Sequence, residues 1–184
     1  MSRNTNSLFH IVDQEKAPQV LKLIVEISAG SSNKYEFNKD LGCLELDRVL
    51  YGPLYYPVNY CDVPQTWNEG DNDPLDAMVF SSSPLLAGSI VDGRVIGMLE
   101  MIDNGEIDHK IICVADKDPR FNHVNSIADL REYELKDIRT FFELYKIPQT
   151  GKDSVKLGKV LEASEAYTFI NQSRLSYQEK FNNK

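Results

Sequence analysis

Three carboxylates fall within six residues at Asp71-Asn72-Asp73-Pro74-Leu75-Asp76, directly ahead of the apolar run Ala77-Met78-Val79-Phe80. Acids spaced this closely repel one another and stay ionised only where cations or a dense set of donors offset the repulsion. Hard divalent ions such as Mg²⁺ and Ca²⁺ take oxygen ligands of this kind, so the stretch reads as a metal-binding pattern. A polar turn ahead of a strand is the plainer alternative, and partners elsewhere in the chain decide between the two. A second acidic pair, Asp103 and Asp108, flanks Asn104-Gly105, while Glu26 and Glu36 lie upstream in apolar or alternating segments. Five cations join them as candidates: Lys34, Arg48, Lys110, Lys146 and Lys152. An acidic metal cradle beside a basic wall suits an anion bridged to metals. Phosphoryl chemistry needs that arrangement, because metal ions and cations together neutralise charge on the transferring group.

Other acidic and nucleotide motifs fit less well. An EF-hand loop needs an acid at its fifth position and Gly at its sixth, where this chain has Leu75 and Asp76. Neither a Walker loop nor a G-x-G-x-x-G is present, and no β/α alternation supports a sugar-nucleotide transferase around the D-x-D. His10, His109 and His123 have no metal-ligand spacing.

The elements that must position these residues can be read from periodicity. Val20 to Ile27 is a nearly continuous apolar run, the pattern of a buried strand carrying Glu26 near its end. Lys34-Tyr35-Glu36-Phe37 alternates, which sets Lys34 and Glu36 on one face, and Leu44 to Val49 alternates again after a turn. Tyr51 to Tyr60, with Pro53 and Pro57, reads as irregular, and Gln65 to Gly70 as a polar loop. Leu75 to Phe80, Ile90 with Val95 to Ile102, and Lys110 to Val114 read as strands, the last two joined through an Asn-Gly hairpin signal. Beyond Asp116 the pattern turns helical. Ser126 or Asn125 is a candidate cap for a helix bearing Leu135, Ile138, Phe142 and Tyr145, and a last helix spans about Ala163 to Phe181. The order predicts strands first and then two principal helices, an α+β chain that is mainly β, arranged as a small closed or partly open barrel with a ligand at its mouth.

Composition bounds the partners. The 184 residues suit one domain, with residues 1–19 as an N-terminal arm that holds a possible helical turn near Asp13 to Lys16. A formal net charge of −8 weighs against nucleic acid as a partner. The chain begins without the apolar core of a signal peptide and has no apolar run of membrane-spanning length, so no membrane partner is expected. Cys43, Cys61 and Cys113 form no C-x-x-C pair, which fits a reducing, cytoplasmic setting.

Asp71-x-Asp73-Pro74-x-Asp76 resembles the signature of the soluble, family I inorganic pyrophosphatases. Val25-Glu26-Ile27, Lys34-Tyr35-Glu36, Asp47-Arg48, Tyr56-Pro57-x-Asn59-Tyr60, Asp103 to Lys110 and Tyr145-Lys146 match the family too, in identity and order, across roughly residues 20 to 175. The resemblance implies a five-stranded OB-like barrel with helices, and Mg²⁺-dependent hydrolysis of pyrophosphate to two phosphates, with Mn²⁺ as a possible substitute. It also implies a homo-oligomer, with a hexamer favoured for a chain this short. Carried over residue by residue, Asp71, Asp76 and Asp108 would hold the tightest metals, Asp103 and Glu36 further ions, and Glu26 would support that site. Asp73 would be the general base that deprotonates the attacking water. Lys34, Arg48, Tyr60, Lys110, Tyr145 and Lys146 would grip phosphate, with Tyr56 nearby. The chain departs from the family in three places: Cys61-Asp62 stand where Gly and an aromatic are usual, the stretch from Tyr60 to Asp71 is one residue longer, and Asn104 replaces an acid often found there. The competing class is a non-catalytic OB-like module for single-stranded nucleic acid or another anion, which needs a basic groove lined with stacking aromatics.

Overall fold

The computed structural model describes residues 7–152 and 154–181. Among these the order is α1 (Leu8–Ile11), β1 (Val20–Ile27), β2 (Asn33–Asn38), β3 (Cys43–Val49), β4 (Asn59–Asn68), β5 (Asp73–Phe80), β6 (Ile90–Asp103), β7 (Glu106–Ile107), β8 (Lys110–Ala115), α2 (Glu132–Leu144), α3 (Ile147–Thr150), β9 (Val155–Glu162) and α4 (Ala163–Phe181). Strands β1, β4, β5, β8 and β6 are hydrogen-bonded in that order, and pairing of β6 back onto β1 closes them into a five-stranded barrel. All the neighbours run antiparallel except β5 and β8, which are parallel. Closure leaves no unpaired edge among the five. The hairpin β2–β3 forms a separate two-stranded sheet, and β9 pairs with the C-terminal half of β6, from Gly97 to Asp103, beyond the part that pairs with β1.

Alternation on each strand sorts the apolar residues into two cores. Leu21, Leu23, Val25, Cys61, Val63, Ala77, Val79, Val95, Ile111 and Cys113, drawn from all five strands, pack together with Ala166 and Ile170 of α4. The opposite faces, including Tyr60, Met78, Ile96 and Ile112, pack under Ile138, Phe141 and Phe142 of α2.

Four local expectations need correction. The stretch near Asp13 to Lys16 makes a hydrogen-bonded turn, the Ala17 amide donating to the Gln14 carbonyl at 3.1 Å, but no helix, which lies at Leu8–Ile11 instead. Gln14 is buried and bonds both backbone groups of Lys22 as well as the Pro64 carbonyl, which holds that part of the arm against the barrel. Residues 65–68 belong to β4 rather than a polar loop. Pro64 hides the strand in the sequence because it offers no ladder donor, and the register slips between Val63 and Asn68, with Gln65 at φ 57°. Ser126 heads a 3₁₀ turn at Ile127–Asp129, where it contacts the Asp129 carboxylate, and α2 starts only after Arg131. Finally, β9 falls between the two principal helices, so the strands do not all precede them.

The pairing of β9 with β6 rests on one small residue. A Cβ on Gly97 would stand 2.4 Å from the Leu161 carbonyl oxygen and 2.5 Å from Ile127 Cγ1, where the backbone carbonyl leaves no room to give. Gly97→Ala is therefore expected to cost roughly 1–3 kcal/mol of stability, seen as a lower urea midpoint at unchanged slope. A midpoint equal to that of the unsubstituted chain would contradict this packing.

Candidate active site

The carboxylates and cations meet in one open cavity of about 500 Å³ on the barrel wall. Glu26, Lys34, Glu36, Arg48, Tyr56, Tyr60, Asp71, Asp73, Asp76, Asp103, Asp108, Lys110, Tyr145 and Lys146, far apart in sequence, all line it. Lys152 does not; it lies in the segment after α3. Lys39, Asp40, Glu45 and Asp62 line the cavity although sequence reasoning gave none of them a role there, Asp62 figuring only as a departure from the family. Asp62 shares the period-two spacing with Tyr60 once β4 is recognised, whereas Lys39 sits in the turn after β2 and carries no spacing signal.

Each group is set by its element. Glu26 sits at a register shift in β1, where it accepts the Phe37 amide at 2.5 Å and so ties the β2–β3 hairpin to the barrel. Lys34 and Arg48 pair across that hairpin, and Asp47 bonds both, at 3.0 and 2.5 Å. Ahead of β5 the Asp71 carboxylate accepts the Asp73 amide at 3.1 Å, with Asn72 between them in the left-handed region at φ 60°. The Thr66 hydroxyl accepts the Leu75 amide at 3.0 Å and fixes where that strand begins. Asn104 and Gly105, at φ 50° and 91°, make the turn that brings Asp103 and Asp108 to the same rim. Tyr145 and Lys146 follow α2, whose buried Phe141 stacks on Tyr145 with ring centroids 5.1 Å apart.

Ion pairs knit the acids to the wall. Lys110, only 2% exposed, bonds Asp76 and Asp108 together, Lys146 bonds Asp103, and Lys39 bonds Asp73 at 2.5 Å. Even so, with Asp40 and Glu45 of the β2–β3 hairpin counted beside the other eight acids, ten carboxylates and five cations line the cavity, a formal excess of five negative charges that two or three divalent ions would balance. Two buried carboxylate oxygens, Asp62 Oδ2 and Asp103 Oδ1, have no hydrogen-bond partner among the described residues. Burial, with Asp76 adding to it, pushes the Asp108 carboxyl up to about 7 despite Lys110, and burial likewise raises Glu26, Asp62, Asp71 and Asp73. An all-oxygen donor set with excess charge and orphaned lone pairs fits hard divalent cations. Tyr56 and Tyr60 are buried against each other and α2, which removes them as an open stacking platform.

A closed five-stranded barrel with an acid-rich cavity and a basic wall defines a class of proteins that bring an anionic substrate to metal ions. Comparison with known proteins narrows the class. Residues 23–178 match the model of the inorganic pyrophosphatase family. The chain is 49% identical to an inorganic pyrophosphatase of Synechocystis over 76% of its length and 81% of the relative's. It is 48% identical to that of Geobacillus stearothermophilus over 88% and 96%. The crystal structure of inorganic pyrophosphatase from Thermus thermophilus superposes with a TM-score of 0.84 at 40% identity, covering 89% of this chain and 94% of that one. The chain belongs to the inorganic pyrophosphatase family and is a hydrolase of inorganic pyrophosphate.

The raised carboxyls have a thermodynamic consequence. An acid whose folded pKa lies above its unfolded value binds more protons when folded, so stability is lost as pH rises between the two values. For Asp108 that window runs from the ordinary aspartate range to about 7. The chelated protein is expected to lose thermal stability as pH rises from about 4 to about 7, and a saturating divalent cation to restore it most at the upper end. Melting curves with and without chelator measure this, and a rising midpoint in chelator would contradict the sign.

Proposed function

We propose that the chain catalyses Mg²⁺-dependent hydrolysis of pyrophosphate to two phosphates, with Asp73 as general base. The observation that carries the reading is the convergence of excess carboxylates and a basic wall on one cavity. Asp71, Asp76 and Asp108 would hold the tightest ions, Asp103 and Glu36 the weaker ones, and Glu26 would brace the β2–β3 side. When bound, Mg²⁺ supplies Lewis-acid polarisation of phosphoryl oxygens and lowers the pKa of water; Mn²⁺ has the same preference for oxygen donors.

The chain's own residues do the rest. The Asp73 side chain is 59% exposed and, among the described residues, its one cation partner is Lys39 on Oδ1, so the other carboxylate oxygen can face an attacking water. Desolvation by the cavity walls, with Asp76 and Glu36 adding to it, raises its carboxyl despite Lys39, the direction that suits a group that must take a proton in the transition state. As Asp73 takes that proton, the water oxygen bonds to phosphorus and the bridging P–O bond breaks, releasing the second phosphate. Lys34, Arg48, Lys110 and Lys146 offset the phosphate charge, and Lys110 and Lys146 are already poised against acids. The phenols of Tyr56, Tyr60 and Tyr145 are pushed up by burial and stay protonated, so they serve as neutral hydrogen-bond donors.

No described helix is long and apolar enough to cross a membrane. On the strength of the family resemblance, the reading extends to a single pyrophosphatase domain that assembles as a homo-oligomer, the hexamer first, in the cytoplasm. Phosphate release from pyrophosphate is expected with Mg²⁺ and not with chelator. Asp73→Asn, folded by circular dichroism, is expected to lose about 10²-fold or more in kcat. Full turnover in that variant would overturn the assignment of the base.

A further inference from the structure

Asp62 belongs to no role described so far. It stands in the middle of β4, 4% exposed, directly across from Asp76 on β5, while Asp76 in turn faces Lys110 on β8. Like charges directly opposite on neighbouring strands destabilise a sheet unless something offsets them. The fixed cations nearby are committed elsewhere: Lys110 bonds Asp76 and Asp108, and Lys39, although it attracts Asp62, gives its hydrogen bond to Asp73. Asp62 Oδ2 is buried without a partner among the described residues, and Asp62 lines the cavity. Glu26 lies on its other side, 5% exposed, with Oε1 held by the Phe37 amide.

Carboxylate oxygens of Glu26, Asp62 and Asp76 lie within 4.8 Å of one another. A hard cation with oxygen ligands at about 2.0 to 2.6 Å spaces those ligands up to about 4 to 5 Å apart across its centre, so three such oxygens fit around one ion. We propose that Asp62, with Glu26 and Asp76, forms an additional divalent-cation site on the floor of the cavity, deeper than the ions held by Asp71, Asp103 and Asp108. Asp76 is then shared between the outer ions and this one. The inference rests on reading the cavity as a metal site, but Asp62 itself takes no part in the pyrophosphatase roles above. An ion there would put a positive charge between Asp62 and Asp76, offsetting the repulsion across β4 and β5.

The test counts ions rather than turnover. Mn²⁺ binding to the substrate-free protein at neutral pH, followed by electron paramagnetic resonance of the free ion, should show one equivalent more in the unsubstituted chain than in Asp62→Asn. If the site survives in part, its affinity should fall at least about tenfold. Equal stoichiometry and affinity in a folded Asp62→Asn would overturn the site and indicate instead an acid that stays protonated. Such a result would leave the pyrophosphatase reading intact, since Mg²⁺-dependent phosphate release tests that separately. Should Asp62→Asn not fold, anomalous diffraction from crystals of the unsubstituted protein soaked in Mn²⁺ decides. A peak within bonding distance of Asp62 supports the site, and peaks confined to the outer acids overturn it.

Discussion

The buried ammonium of Lys110, clasped by Asp76 and Asp108, is the interaction on which the rest of the cavity depends. Burial works against a charged lysine, yet the two carboxylates hold it well above its ordinary range, so it stays cationic. Removing a partner from a buried pair leaves an uncompensated charge, which is far costlier than losing a surface pair. Lys110 therefore does two things at once. It makes the neighbouring acids tolerable in a half-buried setting, and it leaves them too few cations to be neutral without added ions.

Barrel closure is what allows such a concentration of charge. Five strands that satisfy one another's backbone groups form a frame that does not rely on the cavity for its hydrogen bonds, and the apolar residues of all five strands pack together away from it. Charged residues can then occupy the ends and one wall of the frame. The hairpin β2–β3 is joined to that frame partly through the bond from the Phe37 amide to Glu26, so an acid of the cavity also positions Lys34 and Arg48. Binding and architecture share the same residues, and changes to the acids should be felt in both.

Much of this was legible without a structure, and for identifiable reasons. The strands β1, β5, β6 and β8 announce themselves by apolar runs, and α4 by its periodicity over Ala163–Phe181. The Asn104-Gly105 turn is a local property of residues that tolerate positive φ. β4 and β9 were not legible. β4 carries Pro64 and a buried aspartate, two residues that argue against a strand, and its stability comes from pairing with β1 and β5 rather than from its own composition. β9 has Gly158 and three lysine or glutamate positions in eight residues, and holds its shape through β6.

The order and spacing of acids and cations along the chain determined what chemistry was possible, because ligand type and charge are properties of the residues themselves. Only the tertiary structure decided which of them share a cavity. It brought in Lys39 from a turn and Asp62 from an unrecognised strand, and left Lys152 outside. The division follows from the physics: the identity of a donor is local, but the repulsion between two carboxylates depends on distances that exist only after the strands have paired.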